Sequence, residues 1–107
     1  MTLASGITLP VEGIAEICRK YQVRELSVFG SAARGDLRAD SDMDLLVELE
    51  PDARVGLFEF AAMEEELATA LGRKVDLVSK RGLKPRVRPH VLKDAIVVYA
   101  ACPGVPG

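Results

Sequence analysis

The sequence predicts one α/β (α+β) domain, a small mixed β-sheet with helices packed against it. Three observations carry that prediction. Stretches with apolar residues at helical spacing alternate with short runs rich in Val, Leu and Ile. At 107 residues the chain is long enough for one core and too short for two. A composition of 49% apolar and 28% charged residues belongs to a folded chain rather than a disordered one. Size scaling buries about 65% of the open chain's surface on folding, which leaves no room for separate catalytic and substrate-binding lobes.

Taken in order, residues 10–21 form the first expected helix: Pro10 suits a first turn, and Val11, Ile14, Cys18 and Tyr21 recur at helical spacing. Cys18 therefore belongs to the core. Residues 24–29 alternate Leu26 and Val28 with Glu25 and Ser27 and read as a strand. Residues 30–35, Gly-Ser-Ala-Ala-Arg-Gly, are too small and too Gly-bracketed to continue it, and read as a turn opening a short helix. A polar loop at 36–41 leads to a second strand at 43–49, which Pro51-Asp52 ends. Residues 55–71 are expected to be helical, with Phe60, Met63, Leu67 and Leu71 as the apolar stripe, Glu64, Glu65 and Glu66 mostly solvent-facing, and Gly72 as the stop. A third strand at 74–79, a last helix at 87–94 and a buried strand at 95–99 follow, the last also placed to form a sheet edge that invites pairing. The domain is expected to span 1–101, with 102–107 a flexible Pro/Gly tail. There is no internal repeat or linker.

Charge and cysteine usage narrow the function. A formal charge of −2 argues against sequence-independent binding along a nucleic-acid backbone. Cys18 and Cys102 are far apart and match no metal-ligand spacing, which points to a reducing, cytoplasmic setting. No basic-then-apolar leader and no long apolar run is present, so neither secretion nor membrane insertion is expected. Residues 80–94 carry a net +5, leaving −7 for the rest, much of it between Asp36 and Asp52. An acidic centre beside a basic flank suits a metal ion next to a polyanion, and it equally suits an unevenly charged solvated surface.

The chemistry concentrates between Gly30 and Asp44. Asp42 and Asp44 stand two residues apart at the start of a strand, so they project to one face about 7 Å apart while Met43 turns to the core. Such a pair repels itself unless a cation lies between, and Mg²⁺ is commonly held by one or two carboxylates plus substrate phosphates. An isolated Asp-x-Asp also fits an exposed polar strand end. Its neighbours favour the metal-binding pair. Gly30 and Ser31 offer backbone N–H groups to an anion, a helix start behind them adds its positive end, and Arg34 places a guanidinium one turn on. Asp76, set among Val75, Leu77 and Val78, is costly to bury and is expected to face the same cleft. Three acids on two neighbouring strands can hold two metal ions for in-line displacement on a nucleoside triphosphate.

Gly30-Ser31-x-x-Arg34-Gly35 followed by Ser41-Asp42-x-Asp44-Leu45 resembles the motif of the nucleotidyltransferase superfamily that includes DNA polymerase β. More closely, it resembles the minimal nucleotidyltransferases (MNT), which accompany HEPN-domain partners in bacterial and archaeal toxin–antitoxin pairs. The resemblance runs from the first helix to Tyr99. It implies the polymerase β-like fold, with Gly30 and Ser31 on the triphosphate, Asp42 and Asp44 ligating both of two Mg²⁺ ions, and Asp76 ligating the catalytic ion and helping deprotonate the acceptor. Arg34 would assist the phosphates, and Ser41 would shape the turn before the strand. The activity implied is transfer of AMP from ATP onto a tyrosine of a HEPN toxin, with no nucleic acid or membrane involved. The chain departs from larger members in lacking a helical domain for base and acceptor, so specificity must come from a partner or a second copy. Residues 80–93 would serve as a docking face, or simply as a solvated flank. His90 has no nucleophile placed to use it. Two alternatives stay open: a binding module that neutralises its partner by occlusion, and a transferase with a small-molecule acceptor such as an aminoglycoside.

Overall fold

The computed structural model describes residues 8–30, 33, 35 and 42–101. Along the chain lie α1 (Val11–Lys20), β1 (Val23–Phe29), β2 (Met43–Leu49), α2 (Leu57–Leu71), β3 (Val75–Ser79), a 3₁₀ turn (Lys80–Gly82), α3 (Arg88–Asp94) and β4 (Ile96–Ala100). The strands form one mixed sheet in the order β3-β2-β1-β4, with β1 antiparallel to β2 and β4, and β2 parallel to β3. The small mixed sheet with packed helices is as the sequence predicts. Among the described residues no helix is long and apolar enough to cross a membrane.

Local chemistry sets the boundaries. In α1, Glu12 lies in the first turn and Arg19 and Lys20 in the last, matching the helix dipole at both ends. α2 starts at Leu57 rather than at residue 55 because Gly56 is its N-cap, and Glu59 reaches back to accept the Gly56 N–H at 2.8 Å. It stops at Gly72, whose φ of 68° is the left-handed conformation that closes helices and that a side chain disfavours.

The sheet has two unlike faces. On one, Leu26, Val28, Met43, Leu45, Val47 and Leu77 meet Ile14 and Cys18 of α1 and Met63 and Leu67 of α2 in a single apolar core. Burial pushes the Cys18 thiol up to about 12, against a smaller opposing pull from Arg19, so it behaves as a packed apolar group. The opposite face carries Ser27, Phe29, Asp44, Leu46, Asp76 and Val78, by strand alternation. Ser27 and Leu46 are nevertheless buried there, and α3 contacts β1 while the 3₁₀ turn contacts β2. That second layer is thin: no α3 residue joins the main core.

Two expectations are corrected. The last strand is a half-exposed edge rather than a buried strand, with Val97 at 48% exposure; an apolar strand with one neighbour has one open side. Of the three glutamates of α2, expected to be mostly solvent-facing, Glu65 is exposed while Glu64 and Glu66 are half-buried and hydrogen-bonded. Glu66 accepts a hydrogen bond from the Tyr21 hydroxyl and, through both carboxylate oxygens at 3.1 Å, from Lys20 Nζ, tying α1 to α2. Those bonds hold the Glu66 carboxyl below its ordinary range and raise the Tyr21 and Lys20 values. Glu64 accepts the Leu77 backbone N–H at 2.8 Å.

Candidate active site

Asp44 is the second residue of β2, and the sheet gives it two partners in register: Phe29 on β1 and Asp76 on β3. Register partners point to the same face, so the two carboxylates stand side by side across one strand spacing of about 4.8 Å. Met43 and Val75, the preceding register pair, are anchored in the core and fix that phase. A slip of one residue in either strand would send that strand's carboxylate inward. Asp44 is half-buried and Asp76 exposed.

Gly30 closes the site from β1. Its φ is +70°, and a Cβ built there would overlap Asp44 Oδ2 and sit 3.4 Å from Asp44 Cγ. Only glycine lets the chain turn away from β1 this close to the carboxylate. Bare backbone therefore lies against Asp44, a place where a phosphate can approach N–H groups. Of the segment that follows, Ala33 is helical and packs half-buried against the core, as a short helix after the turn requires.

β3 is the outer strand, and its free edge is held by α2: the Glu64 carboxylate takes the N–H of Leu77, the residue next to Asp76. Glu64 thus positions the strand that carries the second acid. The sequence offers no sign of this, because the bond joins a helix to a strand edge 13 residues away.

Asp42 is exposed, just before β2. Among the described residues no three His, Cys, Asp or Glu side chains lie together as a metal-holding set, so Asp42 is not gathered with Asp44 and Asp76. Ser31, Arg34 and Ser41 lie outside the described residues. The donor set fits a hard divalent cation: carboxylate oxygens from two adjacent strands, beside a glycine cradle that a side chain would fill. A cleft of about 520 Å³ elsewhere, lined by Ile17, Ala62, Glu65, Glu66, Thr69 and Ala70, belongs to the α1–α2 layer. Its two carboxylates would repel a triphosphate. His90 is exposed on α3.

The nucleotidyltransferase domain family matches residues 11–98, from the start of α1 into β4. The chain belongs to this family. Among its relatives, this nucleotidyltransferase-domain protein is 41% identical over 83 residues to the protein adenylyltransferase MntA of Thermococcus cleftensis, covering 78% of this chain and 82% of that one. It also resembles a solved minimal nucleotidyltransferase, with 43% identity, a TM-score of 0.69 and coverage of 80% of this chain and 86% of the other. A third similarity, at 19% identity and TM-score 0.62, is to a complex from Shewanella oneidensis of a tri-AMPylated HEPN toxin with its MNT antitoxin; it covers 85% of this chain and 70% of that one. At that identity the likeness speaks for the fold.

Proposed function

We propose that this chain is a Mg²⁺-dependent adenylyltransferase of the cytoplasm, the antitoxin half of a two-protein system, which transfers AMP from ATP to a tyrosine hydroxyl of a HEPN-domain toxin. The observation that carries this reading is the register pairing of Asp44 with Asp76 beside Gly30. The name and activity of the 41%-identical relative support the adenylyl group, and the toxin–antitoxin complex supports the partner.

Asp44 and Asp76 would hold divalent cations between them, with Asp42, just before β2, as the third carboxylate. When bound, the cations lower the pKa of the attacking hydroxyl and offset charge on the departing pyrophosphate. Gly30 and Ser31 would cradle the phosphates through backbone N–H groups, with Arg34 alongside. The acceptor oxygen forms a bond to the α-phosphorus as the bond to the bridging oxygen breaks, pyrophosphate leaves, and the hydroxyl proton passes to Asp76.

Incubation of the protein with its cognate HEPN-domain protein, MgCl₂ and ATP labelled in the adenylyl group should label the partner. The Asp42→Asn, Asp44→Asn double variant should not. Undiminished labelling by that variant would show that the chemistry lies elsewhere.

A further inference from the structure

Residues 80–93 hold six basic side chains, and the segment begins on the carboxylate face of the sheet, where Lys80 meets Glu48. Asp76 and Val78 alternate onto that face, and just beyond the strand Lys80 Nζ lies 3.6 Å from Glu48 Oε1 of β2. From there the chain crosses the thin side, where the 3₁₀ turn contacts β2 and α3 contacts β1. α3 then feeds β4 at Ile96, whose register partner is Val28, the residue before the Phe29 that faces Asp44. The basic segment thus runs from the distal end of β3 back towards the site, ending two strand spacings, about 10 Å, from β2.

Arg81, Lys84, Arg86 and Lys93 are exposed and have no ion pair among the described residues. Between these cations, Val87 is 43% and Leu92 40% exposed. Apolar side chains ringed by unpaired charges of one sign make an interface of defined polarity.

Resting on the adenylyltransferase reading, we infer that residues 80–93 dock the acceptor protein by binding an acidic stretch that lies close to its acceptor hydroxyl. The alternative polyanion is a nucleic acid, and two features disfavour it. The segment contains no Phe, Tyr or Trp on which a base would stack. The remainder of the chain carries −7 and would repel an extended phosphate backbone. A partner with a local acidic stretch meets the basic segment alone. Docking there leaves the acceptor hydroxyl over Asp44 and Asp76, and so supplies the positioning that transfer requires.

The test uses the full chain and its cognate HEPN-domain protein, with complex formation and AMP transfer measured separately. Arg81→Glu, Lys84→Glu, Arg86→Glu together should weaken the complex and lower kcat/KM for the partner by about tenfold or more, mainly through association, while affinity for a non-hydrolysable ATP analogue stays put. Arg81→Lys with Arg86→Lys should retain binding, and added NaCl should weaken the wild-type complex steeply. Wild-type affinity in the charge-reversed variant would overturn the inference. So would tighter, salt-sensitive binding of a short RNA that displaces the protein partner. Absence of AMP transfer by the wild type would instead count against the adenylyltransferase reading, and complex formation would still decide the docking surface.

Discussion

The two faces of the sheet are built from one alternating sequence and do opposite jobs. Met43, Leu45 and Val47 point into a core closed by two helices, and all are essentially inaccessible. Asp44, Leu46 and Glu48, interleaved with them, point to the opposite face, with the 3₁₀ turn in contact with β2 and α3 in contact with β1. Folding free energy comes mainly from the first face, where apolar area leaves water. On the second face Asp44 and Asp76 stand in register as like charges, which contribute little to stability and can even oppose it. Chemistry and stability are therefore separable at single-residue spacing along β2.

That separation is open to direct attack. Asp44→Asn should lower AMP transfer on the order of 10³-fold with little change in Tm, measured by labelled-ATP assay and thermal melts. Leu67→Ala, on the core face, should do the reverse: a loss of about 2–5 kcal/mol in denaturant unfolding, with the specific activity of the folded fraction kept. A large activity loss in the folded Leu67→Ala protein would mean that the faces are coupled. Gly30→Ala tests the border between them. Its Cβ would press on Asp44 Oδ2 from a left-handed backbone, so about 1–2 kcal/mol of stability and much of the activity should go together. The smallest effect should come from Glu64→Ala, which removes the acceptor of the Leu77 N–H and should cost about 1 kcal/mol, with faster amide exchange along β3.

Much of this architecture is written in local patterns. The bounds of β2 follow from period-2 alternation ended by Pro51, and the stop of α2 from Gly72. The Asp-x-Asp spacing of Asp42 and Asp44 is equally local, although Asp42 lies just before β2 and is not gathered with the other two acids among the described residues. What the sequence does not show is every feature that depends on a partner distant in the chain. Asp44 faces Asp76 only because β2 and β3 run parallel in that register, and Gly30 approaches Asp44 only because β1 ends there. Glu64 and Glu66 read as solvent-facing because their partners, Leu77 and the Lys20–Tyr21 pair, lie on other elements. β4 reads as buried because its residues are apolar, whereas its exposure is set by its position at the end of the sheet. The basic segment is visible as charge, and its start on the carboxylate face requires the fold.

The most direct measurement is the stoichiometry of Mn²⁺, standing in for Mg²⁺, bound in the presence of a non-hydrolysable ATP analogue and read by electron paramagnetic resonance. Two ions should bind the wild type, and both Asp44→Asn and Asp76→Asn should lose at least one of them while remaining folded. Unchanged Mn²⁺ binding in those two variants would contradict the assignment of this sheet face as the nucleotidyl-transfer site.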